Sequence, residues 1–245
     1  MGIDEVYDTI YRLVEENCPE QSNPVDFVTD IVRPLSIRKL SKLIDGCAMC
    51  SISNGCKGHT SLKANGGESV LMIGENMLEE QIQTEGLVMP FSEAKRETEI
   101  MERIMAAYSV NTEAVAWMNV VNCFPFQDIK GEMYKRPPTQ KELECCKPYI
   151  DFAIRSLRPQ LIILLGNVAL NAFRKANVKD IHGEWINVYG VRAMAVYSPS
   201  FIAELERNCD SLAEEYKLDF QDDLLKAFRW VRAEYPDWDI VTKDI

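Results

Sequence analysis

The sequence predicts a three-layer α/β/α sandwich around a central four-stranded, mostly parallel sheet. Three observations carry that expectation. Residues 69–74, 115–121, 160–166 and 191–197 are short apolar runs rich in β-branched side chains, the pattern of strands buried on both faces. Segments of helical spacing stand between the runs, as crossover helices covering the two faces of a parallel sheet would. The chain has 245 residues and is 47% hydrophobic, enough for one full core. We read residues 1–245 as a single domain, with a helical N-terminal extension over 1–44 and an acidic, helical C-terminal segment over 203–245.

In chain order, Ile3, Val6, Ile10, Leu13 and Val14 recur at helical spacing over 3–16. A short helix is expected over 24–35, ending near Pro34, and a third over 36–44 with Ser36 as its cap. Residues 46–59 form a loop of small residues. The first strand, 69–74, runs into a turn at Glu75-Asn76-Met77-Leu78. A long amphipathic helix follows over 92–108, then the second strand, then an irregular stretch through Pro137-Pro138. Thr139 followed by Glu142 is a capping box opening a helix to Leu157. Strand 160–166 precedes a helix over 167–177. Strand 191–197 runs into Ser198-Pro199-Ser200-Phe201. A last helix over 211–233 would turn Leu212, Leu218, Leu224, Leu225 and Phe228 inward.

The net charge of −11 argues against nucleic acid at first sight. The acidity is concentrated at the ends of the chain. Residues 203–245 alone carry twelve acids against six bases, whereas the middle is nearly balanced and has room for a local basic face. No apolar run approaches the ~20 residues of a membrane helix. The acidic N-terminus lacks a signal-peptide pattern, so a cytoplasmic protein is expected.

Eight cysteines in a reducing compartment point to metal or catalysis rather than disulfides. Cys47-x-x-Cys50 has the spacing of a two-ligand hairpin, or of small residues in a turn. Cys123 ends the second strand, and Cys145-Cys146 lie just inside a helix. Two paired and two distant cysteines suit zinc or an iron–sulfur cluster. Cys56 and Cys209 read as packing or surface residues. Asn119, also late in the second strand, is an amide able to read a polar edge, or a satisfied buried group.

Taken in order, Cys47-x-x-Cys50, the strand ending Gly74-Glu75, Pro90-Phe91, Asn119-Val-Val-x-Cys123 and Cys146-x-Pro-Tyr149 resemble the family 4 uracil-DNA glycosylases. Leu157 to Gly166 resembles that family's next strand. His182-Gly-Glu-Trp185 is similar to its Gly-x-Trp element, and Tyr197-Ser-Pro-Ser-Phe201 falls where the family has Tyr-His-Pro-Ala-Tyr. The resemblance covers roughly residues 44–205 and implies a DNA glycosylase whose partner is DNA. It implies a [4Fe–4S] cluster on Cys47, Cys50, Cys123 and Cys146, with zinc as the alternative metal. A monomer is expected.

A glycosylase flips a base into a pocket, stacks it, reads its edge and positions water at the sugar. The resemblance gives stacking to Phe91 and base reading to Asn119. It places Glu75 and Asn76 where water is activated, although Asn also suits a helix cap. Ser200, Phe201 and Ile202 fall where the family contacts and intercalates DNA, or where a packed helix begins. Family 4 usually has Gly-Glu-Ala-Pro-Gly where this chain has Gly-Glu-Asn-Met-Leu, and it has His where this chain has Ser198. Neither His59 nor His182 replaces that histidine. Because these departures occur together, the expected substrate is a modified pyrimidine, such as glucosylated hydroxymethylcytosine of phage DNA. Uracil excision in repair and an inactive DNA-binding module are the alternatives.

Overall fold

A computed structural model describes residues 33–56, 58–64, 68–82, 86–88 and 95–235. The expected helix over 3–16, most of that over 24–35, and Phe91 lie outside the described residues.

The sheet has five strands rather than four, in the spatial order Val115–Val121, Val70–Asn76, Leu161–Leu165, Val191–Val196 and Trp185–Val188. Strands β2 (Val70–Asn76), β4 (Val115–Val121), β7 (Leu161–Leu165) and β9 (Val191–Val196) are the four runs of the sequence and are mutually parallel. All five residues of β7 are buried aliphatics, each contributing roughly 1.5–3 kcal/mol on burial. The additional strand, β8 (Trp185–Val188), pairs antiparallel with β9 at the sheet edge. Tyr189 (φ 50°) and Gly190 (φ 87°) form the two-residue turn between them, and both positive φ values are what a type I′ hairpin requires. Its exposure alternates, and an antiparallel edge strand needs no continuous apolar run.

Helix α1 (Arg33–Asp45) begins before Ser36, which is therefore internal rather than a cap; Pro34 is tolerated in a first turn. Helix α2 (Lys95–Ala107) is the amphipathic helix, and α3 (Gln140–Leu157) opens on the expected capping box. Thr139 Oγ1 accepts from Glu142 N at 3.3 Å, and Glu142 Oε2 accepts from Thr139 N at 2.8 Å. The expected helix over 167–177 is two short ones, α4 (Gly166–Asn171) and α5 (Val178–Ile181). The break is held by Asn171 Nδ2, which donates to the carbonyls of Asn167 and Ala176. Helices α6 (Pro199–Arg207) and α7 (Ala213–Glu234) follow β9. In α7 the inward face is Phe220, Leu224, Ala227, Phe228 and Val231, whereas Leu212 and Leu218 are exposed. The helical period carries the buried stripe through Phe220 rather than Leu218.

Helix α3 leans on α1 and β4, α6 on α2 and α7, and α7 on β9, completing the helical layers around the sheet. Two small ribbons stand outside it. Strands β1 (Gly58–Thr60) and β3 (Gly86–Val88) are parallel. Strands β5 (Phe126–Ile129) and β6 (Glu132–Lys135) form an exposed antiparallel hairpin within what the sequence suggested was irregular chain.

Candidate active site

Parallel strands deliver their C-terminal ends to one edge of a sheet, where α/β folds bind ligands. Here β2 ends on Glu75-Asn76, β7 runs into Gly166, and β9 runs into Tyr197-Ser198. Gly166, at φ +88°, allows these ends to converge. A Cβ there would overlap the Glu75 carboxylate and come within 2.9 Å of Ser198 Cβ. Glu75 Oε1 accepts from Val168 N at 3.3 Å, in the first turn of α4. Burial pushes the Glu75 carboxyl above its ordinary range, opposed by the Val168 N–H and the positive charge of Lys135.

Glu75, Asn76, Leu78, Lys135, Leu165, Ser198 and Ser200 line a cavity of about 20 Å³, room for a single water. It adjoins a cleft of about 370 Å³ that shares Glu75, Lys135, Ser198 and Ser200 and continues past Asn167, Asn177, Tyr197, Phe201, Glu204 and Tyr216. Asn76 is the last residue of β2, opposite Val121, rather than a helix cap. Its Nδ2 donates to the Met77 carbonyl at 2.7 Å, and the amide still has an oxygen with which to accept from water. Ser198 caps α6, its Oγ accepting from Phe201 N at 3.1 Å. That bond uses a lone pair, so the hydroxyl proton remains free to donate elsewhere. Phe201 lies in the first turn of α6, stacked on Tyr197 at 5.7 Å and edge-on to Tyr216 at 5.3 Å.

Asn119 is buried on β4 beside Gly74 of β2, and its Nδ2 donates to Thr60 Oγ1 at 3.3 Å. It does not line the two cavities formed by Glu75, Asn76 and Ser198. His59 and Asn122 are also buried, and among the described residues none of their side-chain nitrogen or oxygen atoms has a hydrogen-bond partner. Burial lowers the His59 pKa from its ordinary 6.5. The unfolded chain therefore takes up a proton that the folded protein resists. The stability His59 allows is complete above pH 6.5 and is lost as pH falls toward and through its folded value. Urea melts from pH 8 to pH 5 are expected to show this decline, and His59→Gln to flatten it. An equal decline in both proteins would count against it.

None of the described cysteines lines these two cavities. Cys47 and Cys50 come from the loop after α1, Cys123 from the end of β4, and Cys145 and Cys146 from α3. Cys145 Sγ donates to the Met49 carbonyl at 3.7 Å, fixing that loop against the helix. Burial pushes the Cys146 thiol up, and Cys47, Cys50 and Cys145 are near enough to add to the effect. Cys56, expected to be a packing or surface residue, is half-buried against the core and is also a neighbour of Cys123. Its thiol is lowered to about 7, chiefly by the hydrogen bond with Cys123, and its sulfur accepts from Phe124 N at 3.4 Å. Cys209 is exposed. Among the described residues, no three His, Cys, Asp or Glu side chains enclose a metal-sized point. The chemistry of this donor set, soft thiols carried by the loop after α1, the end of β4 and α3, nevertheless suits an iron–sulfur cluster or zinc.

Comparison with known proteins places this architecture. Residues 65–225 match the model of the uracil DNA glycosylase superfamily. The chain belongs to that superfamily. It is 26% identical over 185 residues to a type-4 uracil-DNA glycosylase of Saccharolobus solfataricus, covering 69% of this chain and 81% of that one. It is 22% identical over 201 residues to a type-4 uracil-DNA glycosylase of Thermotoga maritima, covering 80% and 94% respectively. This chain is thus a DNA glycosylase, a hydrolase of N-glycosyl bonds with DNA as partner. Among the described residues, no helix is long and apolar enough to cross a membrane.

The candidate site also contains Lys135, which sequence reasoning missed. It lines both cavities from the end of the β5–β6 hairpin. The one sequence signal was the Lys130-Gly131 pair, whose positive φ values close that hairpin.

Proposed function

We propose that this glycosylase excises a modified pyrimidine, such as glucosylated hydroxymethylcytosine of phage DNA, and leaves an abasic site. The observation that carries this reading is the 370 Å³ cleft opening from Ser198. Its size is that of a pocket for a drug-sized ligand rather than a single small ring. Its amide, carboxylate and aromatic side chains, Asn167, Asn177, Glu204, Phe201 and Tyr216, are groups that hydrogen-bond and stack on a sugar. Uracil is the second reading, favoured by the names of both type-4 relatives.

In this reading Asn76 accepts a hydrogen bond from water in the small cavity and aims its oxygen at C1′ of the flipped nucleotide. Water bonds to C1′ as the C1′–N bond breaks through an oxocarbenium-like state, and the electron pair leaves with the base. Ser198 donates its hydroxyl proton as a hydrogen bond to that base, in place of a histidine. Glu75, committed to the first turn of α4, holds the strand ends together and is the alternative base. Asn119 and Phe91 are proposed to read and stack the pyrimidine ring, with the cleft beyond Ser198 taking its sugar substituent, and Ser200 and Phe201 to contact DNA. The enzyme acts as a cytoplasmic monomer.

Cys47, Cys50, Cys123 and Cys146 are proposed to hold a [4Fe–4S] cluster that staples the α1 loop to β4 and α3, with zinc as the alternative. The purified protein is expected to be brown, with broad absorption near ~400 nm, and Cys146→Ala to lose soluble protein before chemistry. Stoichiometric zinc without iron on metal analysis would contradict the cluster.

The substrate is tested on oligonucleotides containing uracil, hydroxymethylcytosine or its glucosylated form, with alkaline cleavage after incubation. Cleavage at the glucosylated base is the expected outcome. Cleavage at uracil alone favours the second reading, and DNA binding without cleavage of any of them favours an inactive module.

A further inference from the structure

We infer that Lys135 is the cationic group that stabilises the departing base, set over the cavity by the β5–β6 hairpin. This inference rests on the reading that the small cavity is where the glycosidic bond breaks.

The hairpin strands are exposed, but the root of the hairpin is anchored on both sides. On β5, Phe126 lies against Gly55, where any Cβ would overlap its ring, and packs on the buried group Met77, Ile82 and Phe124. After β6, Arg136 makes a two-pronged ion pair with Glu142, Nη2 to Oε1 at 2.6 Å and Nη1 to Oε2 at 2.8 Å. The backbone N–H of Arg136 also donates to the Pro125 carbonyl at 3.2 Å. Lys135 sits between these anchors, paired across the ribbon with Phe126. Its position is therefore set by packing and a planar ion pair rather than by a loose loop.

Among the described residues, Lys135 is the single cation lining the small cavity, beside Asn76 and Ser198. It is close enough to Glu75 to pull that carboxyl's pKa down against burial. No hydrogen bond holds its ammonium among the described residues. A cation with no fixed partner at the edge of a partly desolvated cavity is ready for incoming negative charge. The reaction creates such a charge on the base when the bond breaks. The neutral hydroxyl of Ser198 answers only part of it, and a positioned positive charge at the cavity edge answers more. In the step, the water oxygen bonds to C1′, the C1′–N pair passes to the base, and Lys135 and Ser198 hold the base anion. The water proton passes to solvent, and the base is reprotonated from solvent.

The test measures single-turnover base release from oligonucleotides carrying uracil or glucosylated hydroxymethylcytosine. The unmutated protein is compared with Lys135→Ala and Lys135→Arg, each shown by thermal melts to be folded. Lys135→Ala is expected to lose about 10²-fold in rate at saturating protein, with DNA affinity changed by less than about threefold. Lys135→Arg should retain most of the rate, and added methylammonium, but not sodium, should partly restore Lys135→Ala. An unchanged rate in an active background overturns the inference and leaves the excision reading standing. A loss confined to affinity, with the salt slope of binding reduced by about one, would mean a phosphate contact and also overturns it. If the unmutated protein releases neither base, the excision reading fails, and the role of Lys135 falls with it.

Discussion

Asn76→Ala is expected to remove most turnover while leaving DNA affinity nearly intact. Asn76 ends β2 at the wall of a cavity sized for one water, with Ser198 on the same wall. A group that orients the attacking water contributes about 10²–10⁴-fold, so the rate should fall by that factor at saturating protein. Affinity should hold because phosphate contacts dominate binding, and Asn76 is only partly exposed at a strand end. Glu75 is the weaker choice for the water. Its carboxylate already accepts from the N–H of Val168, and burial disfavours its charged form. Single-turnover kinetics paired with fluorescence anisotropy separate the two quantities. Full activity in Asn76→Ala would transfer the role to Glu75.

Gly166→Ala is expected to damage fold and site together. At φ +88° an L side chain is strained, costing about 1–2 kcal/mol. The new methyl would also meet the Glu75 carboxylate and lie 2.9 Å from Ser198 Cβ, and such overpacking adds about 1–3 kcal/mol. Together these should lower the melting midpoint by roughly 5–15 °C. Whatever relaxation relieves the overlap must push Glu75 and Ser198 apart and open the small cavity. Base release should therefore fall even at temperatures where the variant stays folded. A melt and a rate both equal to those of the unmutated protein would mean that the three strand ends are not held together by this glycine.

The parallel strands β2, β4, β7 and β9 were legible because strands buried on both faces must be apolar throughout, and little else produces such runs. The start of α3 was legible because Thr139 and Glu142 are a local device, complete within four residues. Strands β5, β6 and β8 were hidden for the opposite reason. Strands β5 and β6 are largely exposed, so packing imposes no apolar pattern on them, and β8 alternates over four residues only, so that Lys130-Gly131 and Tyr189-Gly190 alone marked the turns. Of the candidate site, the strand ends were legible, and the structure brings two of the residues named there, Asn76 and Ser198, to one cavity. Contacts between distant segments left no local trace. Nothing in the spacing of Cys56 shows that it meets Cys123, and nothing around Lys135 shows that a hairpin carries it to the end of β2. Leu218 misled because a leucine in a helical segment reads as core, whereas the period of α7 turns it outward.

The central claim is that the glycosidic bond is broken at the cavity between Asn76 and Ser198. It is tested most directly by a structure of the protein bound to duplex DNA carrying a tetrahydrofuran abasic analogue, which needs no knowledge of the base. The expected complex has the analogue flipped out of the duplex, its C1′-equivalent carbon facing the Asn76 amide across one water, and the cleft beyond Ser198 open for the base. An analogue left stacked in the duplex, or a flipped sugar seated away from Asn76 and Ser198, would contradict the claim.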